Sequence, residues 1–91
     1  MKFEWDEVKN RLNKTKHGIS FELAARVFTD PRRIERYDTG HSEEEDRWLT
    51  IGMVYPAILV VIYTERQQGD CFRIISARQA NDKERRAYYK L

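Results

Sequence analysis

The sequence predicts an α+β domain in which two short N-terminal helices and one C-terminal helix pack on one face of an antiparallel meander sheet of about four strands. Three observations carry this expectation. Residues 57–64, AILVVIYT, are apolar throughout, which suits a strand buried on both faces at the centre of a sheet. Capping residues followed by helix-compatible patterns mark helical segments before residue 30 and after residue 81. The extended segments between them are joined by connections short enough for antiparallel pairing.

Each element has a local cause. Phe3 and Trp5 alternate with polar neighbours and predict a short strand or extended entry. Asp6 can accept from the free N–H groups of a first helical turn, and Gly18 supplies the left-handed residue that ends a helix, so helix 1 is expected over 7–16. Within it Val8, Leu12 and the stem of Lys16 fall near one face. Ser20 caps a second helix over 21–28, with Glu22 in its first turn and Phe21, Ala24, Ala25 and Phe28 forming one apolar stripe. Asp30-Pro31 stops it. A weak strand over 32–38 and a polar turn over 39–45 follow, then a strand over 46–54 and a turn or strand start at Pro56. Gln67-Gln68-Gly69-Asp70 connects the central strand to another over 71–77. Asn81 with Glu84 resembles a capping box and opens a third helix over 82–90.

Composition bounds the function. The 91 residues are expected to form one domain, 1–91, with 41% hydrophobic and 35% charged residues, enough for one core and too balanced for disorder. The single cysteine, Cys71, cannot form an internal disulfide or build a cysteine zinc site, and reads as a strand residue without a chemical role. No apolar run approaches the roughly 20 residues that span a bilayer, and MKFEWDEVKN lacks the apolar stretch of a signal peptide. A soluble, reduced, cytoplasmic protein without membrane association is expected. The motifs GxxxxGK[ST], GxGxxG and HExxH are absent, and His17 and His41 lie 24 positions apart, so neither metal nor cofactor is expected.

The net charge of +2 hides an uneven layout. Residues 1–36 carry a net +3, residues 37–64 a net −4, and residues 65–91 a net +3. Two basic ends meeting in the fold would make a surface suited to polyanions. The basic segments also bear aromatics. Lys14, Lys16 and His17 crowd the end of helix 1, Arg66 follows the central strand, Arg73, Ser76 and Arg78 lie on or after the next strand, and Arg85, Arg86, Tyr88 and Tyr89 lie on the last helix. Simple alternation puts Arg73, Ile75 and Ala77 on one face, with Phe72, Ile74, Ser76 and Arg78 on the other. An arginine facing the same way as apolar residues needs a carboxylate or a solvent-filled cleft. Glu44, Glu45 and Asp46 are candidate partners, and phosphate is the alternative.

A metal-free ribonuclease needs a base for the 2′-hydroxyl proton, cations for the charge on the phosphorane, and an acid for the leaving 5′-oxygen. Lys16, His17, Glu45, Tyr63, Tyr88 and Tyr89 are the available proton handlers; Arg47, Arg66 and Arg78 are the available clamps. Cation capping of helix 1 is the competing role for His17. Trp48, Tyr55 and Tyr89 are candidate anchors for a protein partner.

Quoted together, F3-E-W-D6, N13-K-T-K-H-G18-I-S-F-E22, V27-F-T-D-P31, E45-D-R47, I51-G52, T64-E-R66 and R73-I-I-S-A-R78 with E84-R-R-A-Y-Y89 make a chain that resembles the BrnT family of type II toxin–antitoxin toxins. The resemblance implies a fold similar to RelE-type ribonucleases, and metal-independent RNA cleavage that arrests translation. It implies an antitoxin of the BrnA type with a ribbon-helix-helix part, through which alone the complex meets operator DNA, in an assembly compatible with a heterotetramer. Carried onto this chain, the motif residues are Lys16, His17, Glu45, Arg47, Arg66, Ser76 and Arg78. Arg73, Ser76, Arg85 and Tyr89 are the expected RNA contacts. In the 45–47 segment the close Glu-Arg spacing appears as Glu45-Asp46-Arg47, leaving the acid open between Glu44, Glu45 and Asp46. The residues alone also fit a non-catalytic RNA- or protein-binding module with a basic face, or a docking domain for an acidic antitoxin tail.

Overall fold

The apolar run does occupy the centre of the sheet. In the computed structural model, which describes residues 1–40 and 45–90, the chain runs β1 (Lys2–Glu4), α1 (Glu7–His17), α2 (Phe21–Ala25), β2 (Ile34–Tyr37), β3 (Trp48–Val54), β4 (Ala57–Arg66), β5 (Cys71–Gln79) and α3 (Asp82–Tyr89). The strands form one sheet in the order β1-β5-β4-β3-β2. The caps act as their chemistry requires. Asp6 accepts from Val8 and Lys9 N–H, Ser20 from Leu23 N–H, and Asn81 with Glu84 forms the reciprocal capping box. Gly18, at φ 73°, ends α1 in the left-handed region.

Several expectations need correction. The sheet has five strands and is mixed: β2, β3, β4 and β5 make the antiparallel meander, but β1 lies parallel to β5, pairing Phe3 with Phe72. A three-residue strand carries a period but no statement of its distant partner. The helices do not share one face. Phe21, Ala24 and Val27 pack with Leu59, Val61, Ile74 and Ala77, whereas Tyr88 of α3 packs on the cluster of Ile51, Ile58, Val60 and Ala80. A strand apolar on both faces demands cover on both. The second helix is shorter than expected, since after Ala25 it tightens into a 3-10 turn over Arg26–Thr29.

In α1 the expected inward side faces out. Val8 and Leu12 are 55% and 63% exposed, while Asn10 and Asn13 are buried. Beyond Arg73, β5 has lost β1 as a neighbour, so backbone groups on that edge need other partners. Asn13 supplies them: its amide donates to the Ala77 carbonyl at 2.8 Å and accepts from the Ala77 N–H at 3.2 Å. The same amide donates to the Ile19 carbonyl at 2.9 Å. Asn10 accepts from the Phe21 N–H at 2.7 Å and donates to Glu22. Hydrogen-bond demand, not apolar area, therefore decides which side of α1 turns inward.

The register of β5 also departs from simple alternation. Ile62 pairs with Ser76 but Tyr63 pairs with Ile74, so Ile75 is an extra residue in β5. The bulge inverts the alternation after it. Phe72, Ile74 and Ala77 share the face covered by α2, and Arg73, Ser76 and Arg78 share the other.

On the opposite side of the sheet from β5, Asp30 closes β3. Its carboxylate accepts from the Met53 N–H at 2.8 Å and the Tyr88 hydroxyl at 2.6 Å. Gly52 permits the approach, because a Cβ there would lie 2.9 Å from Val27 Cγ1 and 3.1 Å from Arg33 Cβ.

Replacing Asn13 by Ala leaves three buried backbone groups without partners and is expected to cost about 2–4 kcal/mol of unfolding free energy in urea titration. Leu12→Ala is expected to change it by no more than about 0.5 kcal/mol. Equal losses would overturn this account of α1.

Candidate active site on the basic sheet face

With Ile75 bulged, the sheet face away from α1 and α2 receives a row of cationic and hydroxyl side chains. α3 covers only one end of this face, over Ile51, Ile58 and Val60. Among the described residues no helix covers the other end, which holds two adjoining clefts. The first, of about 320 Å³, is floored by Leu49 and Ile62 and edged by Asp38, Arg47, Ser76 and Arg78. The second, of about 350 Å³, lies where β4 runs out and is lined by Glu45, Trp48, Thr64, Arg66 and Gln68. Thr64 pairs in register with Arg73, two residues along β4 from Ile62, so the clefts follow one another along the same strand.

Carboxylates hold most of these arginines. Arg66 pairs with Glu45 at 3.0 Å across the second cleft. Arg73 donates to Glu4 at 2.6 Å. Arg78 makes a two-point fork with Glu84, Nη1 at 2.7 Å and Nη2 at 2.8 Å. Arg66 thus finds its partner in the acidic segment as expected, whereas Arg73 and Arg78 take theirs from β1 and α3. Of the acids left open in that segment, Asp46 accepts from the Tyr37 hydroxyl at 2.8 Å and Glu45 takes Arg66. Glu44, like Glu43 and His41, lies outside the described residues.

The fork sets the electrostatics of Glu84. The hydrogen bonds from Arg78 outweigh partial burial and hold its carboxyl below the usual glutamate range, and they raise Arg78 in turn. The hydrogen bonds from Arg73, and then Cys71, lower Glu4 in the same way. Burial, then the Glu4 carboxylate, pushes the Cys71 thiol up, which keeps it protonated and unreactive.

The remaining sequence candidates are dispersed. Lys16 and His17 lie three and four residues beyond Asn13 in the last turn of α1 and are not among the residues lining either cleft. Arg85 is spent on α3 itself, donating to Asp82 and to the Ala80 carbonyl. Tyr63 is fully buried on the covered face between Phe28 and Phe72. Burial and its hydrogen bond to Asp30 push Tyr88 up to about 12, unsuited to proton transfer near neutrality. Burial works to raise Asp30 as well, but the bonds from Met53 and Tyr88 outweigh it and leave that carboxyl lowered. Tyr89 is 50% exposed and lines neither cleft.

Two groups of the clefts carry no signal in the sequence. Asp38 lines the first cleft, and its N–H donates to the Arg47 carbonyl at 2.9 Å. Its position after a weak edge strand does not announce this. Thr64 lines the second cleft with a buried hydroxyl that has no hydrogen-bond partner among the described residues. The TER motif points at the neighbourhood but not at the hydroxyl.

The profile of a family described as the ribonuclease toxin BrnT of type II toxin–antitoxin systems matches residues 5–84. No curated protein matches the chain. The matched span takes in both clefts and every strand from β2 to β5.

Because Glu84 is depressed in the folded state, its fork with Arg78 stabilises the fold above the ordinary glutamate range, and this stabilisation is lost as pH falls through the lower folded value. Urea titrations from neutral to acid pH are expected to show stability declining over that interval, and Glu84→Gln to show a shallower decline. An unchanged pH profile in the variant would remove the fork from the stability of α3.

Proposed function

The chain belongs to the BrnT family of ribonuclease toxins of type II toxin–antitoxin systems, and from that premise we propose that it cleaves RNA without a metal ion on the open sheet face, blocking translation in the cytoplasm. The observation that carries the site assignment is the meeting of Arg47, just before β3, with Ser76 and Arg78 of β5 around one cleft.

In this reading the scissile phosphate enters the first cleft. Arg47 and Arg78 hold its oxygens and stabilise the second negative charge that develops on the phosphorane, while Ser76 donates a hydrogen bond. Arg66 and the Thr64 hydroxyl, one step along β4, hold the neighbouring phosphate, and Arg73 extends the row toward β1. The base that takes the 2′-hydroxyl proton is a carboxylate: Asp38 lines the cleft and Glu45 stands in the adjoining one. Attack by the 2′-oxygen then closes a cyclic phosphate as the bond to the 5′-oxygen breaks. Lys16 or His17, from the last turn of α1, returns a proton to that leaving oxygen. Arg85 and Tyr89 lie away from the cleft, so any contact they make is with RNA beyond it.

Arg66 and Arg78 already hold carboxylates, so substrate phosphate must exchange with Glu45 and Glu84. The pair at Arg66 is exposed on both sides and costs little to open. A type II toxin is held in check by a protein antitoxin. We propose that this one is of the BrnA type, covers the same face, and brings the complex to its operator through a ribbon-helix-helix part.

Arg66→Ala separates chemistry from folding, because an exposed ion pair contributes no more than about 1 kcal/mol. Expression without antitoxin is expected to arrest growth, and Arg66→Ala to relieve the arrest, with cleavage down by about 10²-fold through loss of substrate positioning and the thermal midpoint nearly unchanged. Asp38→Asn is expected to slow cleavage likewise. Cleavage is expected to persist in EDTA and to leave a 2′,3′-cyclic phosphate; its loss in EDTA would overturn the metal-free mechanism. Salt-dependent RNA binding with no product strands would turn the assignment to a binding module.

A further inference from the structure

A groove outside both clefts has no role in the chemistry above. It runs between β2 and the C-terminal end of α3 and encloses about 790 Å³. Arg32, Arg33, Arg36, Tyr88, Tyr89 and Lys90 line it, and among its described lining residues none is acidic. Two of these side chains are fixed: Tyr88 on Asp30, and Arg33 on Thr50 and Glu35, with its guanidinium 5.0 Å from the centre of the Phe28 ring. Arg32, Arg36 and Lys90 differ from the arginines of the clefts. All three are exposed, and none makes an ion pair among the described residues. The guanidinium groups of Arg32 and Arg36 act on the Asp30 and Glu84 carboxylates only through their field, without an ion pair, and three exposed cations around one concave surface give it a positive potential that favours an anion.

The groove neighbours the cleft across β2 and β3. Arg36 pairs in register with Leu49, the residue that floors the first cleft, so the two share the open sheet face. Arg36 therefore stands between the cleft and the groove. Tyr89, half-exposed and held edge-on against Tyr88 at 5.2 Å, offers a ring at the groove's wall.

We propose that this groove is a second RNA subsite, in which Arg32, Arg36 and Lys90 hold the phosphates of the strand running out of the cleft and Tyr89 stacks one of its bases. The assignment rests on the reading of the open face as an RNA site. Spaced phosphates with an aromatic platform are the recurring chemistry of single-strand binding, and neither component selects a base sequence. An acidic peptide would satisfy the charge but would leave unexplained why the cations lead back to the cleft.

The test compares two 2′-O-methyl RNAs, which bind but cannot be cleaved: a trinucleotide that fits the cleft, and a strand of about twelve nucleotides that extends beyond it. The triple variant R32Q/R36Q/K90Q is expected to bind the long strand about tenfold more weakly at moderate salt. Its slope of log K against log[salt] is expected to be shallower by about 0.7 for each phosphate the variant no longer neutralises. Trinucleotide binding is expected to stay within about twofold of the parent. Equal weakening for both RNAs, or no weakening for either, would overturn the proposal. So would unchanged RNA binding together with failure to form the antitoxin complex, which would assign the groove to the protein partner. A parent that binds the long strand through these residues but cleaves no RNA would remove the ribonuclease mechanism and leave the subsite standing.

Discussion

The single extra residue at Ile75 decides what the sheet can do. A strand alternates strictly, so β5 without a bulge would send Arg73 to the face of Ala77 and bring Ser76 and Arg78 round with Phe72 and Ile74. Apolar core residues and polar ones would then compete for the same side, and neither face could be dry. With one residue looped out opposite the Ile62–Tyr63 step, the pattern resolves into a fully apolar face under α2 and a face that gathers Arg73, Ser76 and Arg78. Everything proposed about RNA follows from that separation. Bulges recur beside active sites because they re-aim side chains without changing a fold, and this one re-aims three.

A second constraint comes from the edges of the sheet. β1 is too short to cover β5 and β2 too short to cover β3, so each longer strand has backbone groups without a strand partner. The protein closes both with side chains. Asn13 takes the place of a peptide unit against Ala77, and Asp30 accepts from Met53. These two contacts also carry the helices: the first seats α1 on the β5 edge, and the second, through Tyr88, draws α3 towards the turn after α2. Edge protection and helix placement are thus one device rather than two.

The arginines show how a near-neutral protein keeps a cationic face folded without a bound polyanion. Glu4, Glu45 and Glu84 each satisfy one guanidinium. The pairs are not equivalent. Glu84 is locked into the capping box and the fork together, so Arg78 is bound up with the seating of α3, while Glu45 and Arg66 are half-exposed and easily parted. Substrate can therefore displace one partner at little cost and must work around another. The acidic middle of the sequence contributes Glu45 and Asp38 to the rim of a basic face, as its placement between two basic ends allowed.

Local signals made the helices, their caps and the central strand legible in the sequence, because capping, helix termination and a run of apolar β-branched residues are decided within a few residues of chain. The family's motifs were legible too, and with them Arg47, Ser76 and Arg78 as candidates for one site. What sequence could not carry was anything set by a distant partner. Val8 and Leu12 looked like the inward side of α1 because apolar spacing is visible in a sequence, whereas the need of Ala77 for a donor and an acceptor 64 positions from Asn13 is not. The parallel seat of β1, the cover on both sheet faces, the bulge and the lining of the groove by Arg36 and Lys90 belong to the same class. Sequence by itself determined which segments would be helix or strand and what chemistry they carried. Only the tertiary structure decided which way those side chains face, because register and edge pairing are settled by contacts between segments and not by the pattern within any one of them.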